Sequence, residues 1–156
     1  MKRRQFIKSA IACGLLMVGA TQVAAIPEPT SHVPNVTRAF ASGTEIDVLI
    51  ALFGTTQSIP SGQLKLYAPF IATPGLGVQI KVRSDLVGAK AMAVVVQDAV
   101  RPLAAYVRLS GARSTFSSTL AFEKTSTVSV YVMTDHGVYS TSFNIKVSRG
   151  GYGTDL

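Results

Sequence analysis

Residues 78–83 alternate strictly between apolar and polar side chains, and this alternation constrains the fold more than any other feature of the chain. The run reads VQIKVR. In a strand, successive side chains point to opposite faces, so a period of two indicates one buried face and one wet face. Similar segments, separated by turn residues, occur before and after this run. The predicted strands are 64–68, 78–83, 91–97, 103–109, 116–122, 128–133 and 138–147. About seven short strands predict an all-β fold, an immunoglobulin-like antiparallel β-sandwich.

One helix is predicted before the strands. Thr44 suits the N-cap, Glu45 and Asp47 suit the positive first turn, and Gly54 suits the left-handed position that ends a helix. Apolar side chains recur at helical spacing, and the predicted buried face comprises Ile46, Leu49, Ile50 and Phe53. Packing against the core is expected of this face, and binding of a partner is the alternative.

The last two strands are predicted to form a hairpin through residues 134–137, where Gly137 can adopt a positive φ. His136 is interpreted as a solvated turn residue. The chain has no Trp, and its single cysteine is Cys13, so it lacks the disulfide and the Trp that mark antibody domains. Burial of Val, Ile, Leu and Phe must therefore hold the sandwich together.

The N-terminus resembles an export signal. Arg3 and Arg4 are followed by QFIK, by an apolar stretch at 10–20 and by small residues at 23–25. The paired arginines indicate the twin-arginine type, which exports folded proteins. Because a membrane span needs roughly 20 apolar residues, the stretch is too short for an anchor. We therefore expect cleavage near Ala25 and a periplasmic mature protein.

Cleavage changes what the composition implies. Removing residues 1–25 removes four cations and no anion, which lowers the formal net charge from +7 to +3. The remaining cations mostly alternate with apolar residues, a pattern typical of solvated strand faces and not of nucleic-acid binding. Cys13 leaves with the signal, so the mature chain has no thiol. His32 and His136 show no metal-ligand spacing, and no metal site is predicted.

No enzymatic motif is evident in the sequence. No Ser–His–acid set, carboxylate pair or phosphate-binding glycine loop is suggested, so we predict neither an active site nor a cofactor. A binding or carrier role is favoured.

The C-terminus has one large side chain among glycines, in the order Gly150, Gly151, Tyr152 and Gly153. Glycine is conformationally permissive, so these residues predict a flexible arm that could reach roughly 20–25 Å and place one side chain in a partner's pocket. A frayed terminus is the alternative. The predicted organisation is thus a signal at 1–25, a linker at 26–43, a sandwich domain with its helix at 44–149, and an arm at 150–156.

Three segments together resemble the SoxY family, the carrier subunits of bacterial thiosulfate oxidation. They are LIALFG at 49–54 with PSGQLKL at 60–66, RPLAAY at 101–106, and DHGVY at 135–139 leading into GGYG at 150–153. The resemblance covers the chain from the helix onward. It implies an immunoglobulin-like periplasmic protein, exported through a twin-arginine signal while bound as a heterodimer to a signal-less partner, SoxZ.

The chain departs from the family at the residue that carries the chemistry. The family's arm ends Gly-Gly-Cys-Gly-Gly, and its cysteine holds sulfur intermediates while the arm visits successive enzymes. Here Tyr152 occupies the cysteine position, and Thr154 occupies that of the last glycine. A phenol oxygen cannot form the S–S bond that a sulfane carrier needs.

Three hypotheses follow from this departure. The chain could be a SoxY-type subunit whose Tyr152 fills the pocket that receives the arm, and so acts as a placeholder or competitor. It could be an interaction module without a sulfur role. It could also be a carrier disabled by a single-base change from cysteine to tyrosine.

Overall fold

Nine strands and two short helices form the described part of the chain, which comprises residues 32–110 and 114–148 of a computed structural model. The helices are α1 (Val36–Ala41) and α2 (Glu45–Phe53). The strands are β1 (Ile59–Pro60), β2 (Leu64–Tyr67), β3 (Ile71–Ala72), β4 (Gly77–Ser84), β5 (Ala91–Val96), β6 (Leu103–Arg108), β7 (Ser114–Ala121), β8 (Ser126–Thr134) and β9 (Gly137–Val147). The predicted all-β class is confirmed, and the seven predicted strands correspond to all but β1 and β3.

The strands form two sheets. The larger sheet has the order β1-β9-β8-β5-β6, with β3 also paired to β9, and the smaller sheet has the order β2-β4-β7. The main pairings are antiparallel, as predicted. The two-residue strands β1 and β3 differ, because both pair with β9 in parallel. The chain thus pairs with β9 twice, once before β2 in the sequence and once after it.

The alternation in β4 is realised as predicted. Its apolar side chains Val78, Ile80 and Val82 are buried, and its intervening polar side chains are exposed. The buried row packs in a core cluster with apolar residues of β5 and β8, which belong to the facing sheet. A two-residue period therefore defines the interface between the sheets.

Helix α2 covers the opposite face of the larger sheet and creates a second core. Ala93 and Val95 of β5 lie in that core with Val48 and Leu52 of α2, while their neighbour Val94 lies in the core between the sheets. β5 is buried on both faces, which explains why its sequence, AMAVVV, is continuously apolar. No helix in residues 32–110 or 114–148 is long and apolar enough to cross a membrane.

The predicted ends of α2 are confirmed, but its predicted buried face is only partly right. The Thr44 hydroxyl accepts a hydrogen bond from the Asp47 N–H, and Gly54 has φ +70°. Leu49 and Phe53 are buried as predicted, whereas Ile46 and Ile50 are 59% and 40% exposed. The face toward the sheet instead carries Glu45, Val48, Leu49 and Leu52, at helical spacing i, i+3, i+4 and i+7.

The linker predicted at 26–43 contains helix α1, which is a correction. The side chain of Asn35 caps α1 by accepting from the Arg38 N–H at 2.9 Å, and Ala39 is fully buried. The Asn35 N–H and the His32 Nε2 both contact the Ala51 carbonyl oxygen, at 2.9 and 3.0 Å. Residues 32–41 therefore pack against α2, because these contacts satisfy backbone groups that a solvated linker would leave to water.

The predicted hairpin between β8 and β9 is confirmed. The Thr134 hydroxyl donates to the Gly137 carbonyl at 3.1 Å and accepts from the His136 N–H at 3.1 Å. Gly137 has φ +133°, which glycine adopts more readily than other residues. Residues 135–136 therefore form a two-residue turn, and this turn sets the register of β9 with β8.

Candidate functional site

The residues predicted to act lie outside the described part of the chain. They are the arm residues Gly150, Gly151, Tyr152 and Gly153 and the signal residues Arg3 and Arg4. Their roles stay predictions. The structure does describe the strand that leads to the arm, because β9 ends at Val147 and Ser148 follows it.

The C-terminal end of β9 is held by neighbours on both sides. On one side, the Ser148 N–H donates to the Ala72 carbonyl at 3.0 Å, and the Lys146 N–H donates to the Phe70 carbonyl at 2.9 Å. On the other side, the Val147 N–H donates to the Thr125 hydroxyl at 3.0 Å. Each such bond contributes about 0.5–1.5 kcal/mol. The predicted arm is therefore attached to a fixed point.

The Lys146 side chain adds a contact at the same place. Its Nζ lies 5.0 Å from the centre of the half-exposed Phe70 ring, within the range of a cation–π interaction. This contact joins β9 to the residue before β3, and so strengthens the short parallel pairing there.

A polar network connects α2 to the larger sheet, and the sequence analysis did not predict it. The Tyr131 hydroxyl donates to Glu45 Oε1 at 2.6 Å, and the Gln97 side-chain amide donates to Glu45 Oε2 at 3.0 Å. Each oxygen of the carboxylate thus has a partner. The carboxylate also lies in the first turn of α2, where negative charge is favourable.

The network keeps Tyr131 protonated. Burial of the phenol raises its pKa well above the ordinary value, and the hydrogen bond to Glu45 and the negative charge of Glu45 raise that pKa further. At neutral pH the Tyr131 hydroxyl is therefore protonated and donates its hydrogen bond to Glu45. The available signal was a single tyrosine in a strand of Ser, Thr, Val and Met residues, but only the tertiary structure identifies its partner.

Two cavities border this network, and Gln97 lines both. The larger, of about 530 Å³, is lined by Pro60, Ser61, Gly62, Gln97, Ser129, Tyr131, Ser140, Thr141 and Ser142. The smaller, of about 400 Å³, is lined by Gly43, Thr44, Glu45, Gln97, Asp98, Ala99 and Pro102. The side chains that line the larger cavity offer hydroxyl and amide groups, so this cavity can form hydrogen bonds.

Metal-ligating residues are not grouped in this part of the molecule. Within residues 32–110 and 114–148, no three side chains of His, Cys, Asp or Glu come together as a metal site would require. His32 and His136, the two histidines, lie in separate segments, one against α2 and one in the hairpin turn.

Comparison with known proteins identifies one family. The family model described as "Sulfur oxidation protein SoxY" matches residues 49–151, from within α2 to the second glycine of the predicted arm. The match therefore covers well over half of the chain and ends immediately before Tyr152. No curated protein matches this chain.

Solved structures include a similar fold. The sulfur carrier protein SoxY from Chlorobium limicola f thiosulfatophilum aligns with a TM-score of 0.62 at 23% identity, over 65% of this chain and 94% of that protein. A superoxide reductase (neelaredoxin) from Ignicoccus hospitalis aligns with a TM-score of 0.47 at 17% identity, over 55% of this chain and 80% of that protein. The likeness to the SoxY structure shows the fold.

Proposed function

Because the chain belongs to the SoxY family of sulfur oxidation proteins, we propose that it serves thiosulfate oxidation as a periplasmic carrier-family subunit that does not bind sulfur covalently. The family match to residues 49–151 is the observation that carries this proposal, because it includes both the sandwich and the first two glycines of the arm. The fixed end of β9 supports the arm's role, since a swinging segment needs a stable attachment.

The chemistry of Tyr152 sets the limit on that role. Cys13 is the only cysteine in the sequence, and the proposed processing removes it. The mature chain would then have no thiol with which to form a persulfide or a mixed disulfide. Tyr152 would instead fill the pocket that receives a carrier arm, where an aromatic ring makes a good anchor. The protein would compete with, or stand in for, a carrier that has the cysteine.

A partner and an export route belong to the same proposal. The paired Arg3 and Arg4 would direct export of the folded protein, and a SoxZ-like subunit would form a heterodimer with it. Other Sox enzymes would meet the complex through the C-terminal arm.

The experiment is intact-mass analysis of the native protein, captured mildly from periplasm before and after thiosulfate is supplied. We expect a SoxZ-like chain to co-purify and no sulfur mass to appear on this chain. A sulfur-dependent mass increase on the wild-type chain would contradict the argument about Tyr152. Absence of a Sox partner would favour the simple interaction module.

Two variants separate the hypotheses about Tyr152. If Tyr152 is a placeholder, wild-type protein should inhibit the action of Sox enzymes on a cysteine-bearing carrier. The Tyr152→Ala variant should then inhibit less than wild type. If the chain is a recently disabled carrier, wild type should not compete, and Tyr152→Cys should acquire thiosulfate-dependent mass. A Gly62→Ala variant, in which the added Cβ has open space around it, is the control and should behave as wild type in both assays.

A further inference from the structure

The cations of β2 and β4 lie together on the outer face of the smaller sheet. Lys65 of β2 lies directly opposite Arg83 of β4, and Tyr67 lies opposite Lys81. All four side chains are exposed, because the alternate positions of both strands face the core. We call these residues (Lys65, Tyr67, Lys81 and Arg83) the cationic face. The sequence suggested scattered, solvated cations, and strand pairing brings them together.

The cationic face contains an electrostatic conflict. Directly opposed residues on one face of an antiparallel pair have Cβ atoms about 4.5–5.5 Å apart, and like charges there destabilise the sheet. Arg83 Nε has a carboxylate neighbour, Asp85 Oδ1, at 3.2 Å. Within the described residues, no ion pair neutralises Lys65 or Lys81. Positive charge is therefore in excess on this face.

The rest of the face carries neutral polar groups. β7 adds exposed hydroxyls, with Ser117 opposite Lys81 and Thr115 opposite Arg83. The sequences of β2, β4 and β7 contain no Asp or Glu. The result is a surface of cations, hydroxyls and one tyrosine that is 51% exposed. Arg and Tyr are residues that protein interfaces favour.

We propose that the cationic face docks against an acidic surface of a partner protein. Carboxylates of the partner would relieve the repulsion between Lys65 and Arg83 and would form charge-assisted hydrogen bonds with both. An anionic lipid surface fits less well, because lipid-binding clusters usually have about four to eight Lys or Arg residues. A small anion also fits less well, because such ligands are usually bound in concave sites. The proposal does not depend on sulfur chemistry.

Titration of the isotope-labelled protein with an octaglutamate peptide tests this proposal, with octaglutamine as the uncharged control. We expect amide shift changes on β2, β4 and β7, and binding that weakens as salt is raised. The variant Lys65→Glu, Lys81→Glu, Arg83→Glu should bind at least about tenfold more weakly, a loss of about 1.4 kcal/mol. The matched variant Arg38→Glu, Arg101→Glu, Lys124→Glu changes the net charge equally at exposed positions elsewhere and should bind within about twofold of wild type.

Two results would overturn the proposal. One is an equal loss of binding in both triple variants, since net charge alone would then explain it. The other is tighter binding of the wild type to phosphatidylserine vesicles than to the peptide, with loss of that binding in the first variant, because the occupant would then be a membrane. If the first triple variant fails to fold, Lys81→Gln provides the same comparison with a single neutral change.

A stability measurement adds an independent test. Lys65→Gln removes one of two opposed charges, so the urea midpoint of the free protein should rise while peptide binding weakens. Lys124→Gln, at an exposed position outside the cationic face, should change neither. A fall in the midpoint of Lys65→Gln would show that the opposed cations are not in conflict and would remove the main argument for an acidic partner.

Discussion

At the scale of single residues, Tyr131 joins the sheet to α2 through its hydroxyl. Tyr131→Phe removes the bond to Glu45 and leaves that carboxylate with one donor fewer. We expect the free energy of unfolding to fall by about 1–2 kcal/mol, measured by urea denaturation at neutral pH. Tyr67→Phe, at a half-exposed position, is the control and should be nearly neutral. Equal effects of the two changes would contradict the role given to the Glu45 bond.

The raised pKa of Tyr131 predicts a loss of stability in alkali. A group whose pKa is higher in the folded state stabilises the fold fully below its unfolded pKa, here about 10, and that stability is lost as pH rises toward the folded value. The unfolding free energy of wild type should therefore decrease more steeply above about pH 10 than that of Tyr131→Phe. Urea titrations at a series of alkaline pH values measure this, and parallel curves would argue against it.

At the scale of elements, the end of α2 depends on Gly54. Its φ is +70°, and a Cβ there would lie 2.9 Å from the His32 ring. Gly54→Ala should therefore destabilise the protein by about 1–2 kcal/mol or more, from backbone strain and displacement of His32. Gly62→Ala is the matched control, because nothing lies within 4 Å of its added Cβ. Thermal unfolding of both variants tests the difference. A Gly54→Ala variant with the same melting temperature as wild type would contradict this prediction.

The alternation in β4 predicts where truncation matters. Ile80 is fully buried between the sheets, so Ile80→Ala should reduce the unfolding free energy by about 2–5 kcal/mol. Val87, 90% exposed in the turn after β4, should tolerate Val87→Ala within about 0.5 kcal/mol. Urea denaturation measures both, and comparable losses would mean that β4 does not face the core as described.

Elements whose own sequence has a clear period could be predicted. Elements that are defined by contacts with distant residues of the same chain could not. β4 was found because its period is strict. The rotation of α2 was predicted less well, because seven of its nine residues are apolar and several faces compete. The bond between Glu45 and Tyr131 favours one face, and it joins residues far apart in sequence. β1 and β3 are two residues long and exist only through pairing with β9.

At the scale of the whole molecule, thiol chemistry tests the predicted processing. The precursor has one cysteine, Cys13, and a mature chain cleaved near Ala25 has none. Periplasmic protein should therefore take up no iodoacetamide, while protein retained in the cytoplasm by Arg3→Lys, Arg4→Lys should take up one equivalent after denaturation. Intact mass measures both, and a labelled periplasmic chain would contradict cleavage after Cys13.

The predicted arm and the polar groups that the structure brings together have different standings. The residues GGYG predict an arm and the family resemblance gives Tyr152 its position in it, and both stay predictions because these residues lie outside the described part of the chain. The polar network and the cationic face were not predictable, because each brings together residues from separate strands or helices. Lys65 and Arg83 become neighbours only through the register of β2 with β4.

The position of β9 in the larger sheet has a consequence for the order of events during synthesis. β9 pairs with β8, β1 and β3, and all three precede it in the chain. The pairings with β1 and β3 close long loops, and contacts between residues distant in sequence form slowly. A nascent chain that lacks β9 lacks the strand with which β1 and β3 pair. Folding of the larger sheet is therefore completed only after translation has passed β9, so a partner that recognises the finished sheet can bind only after that point.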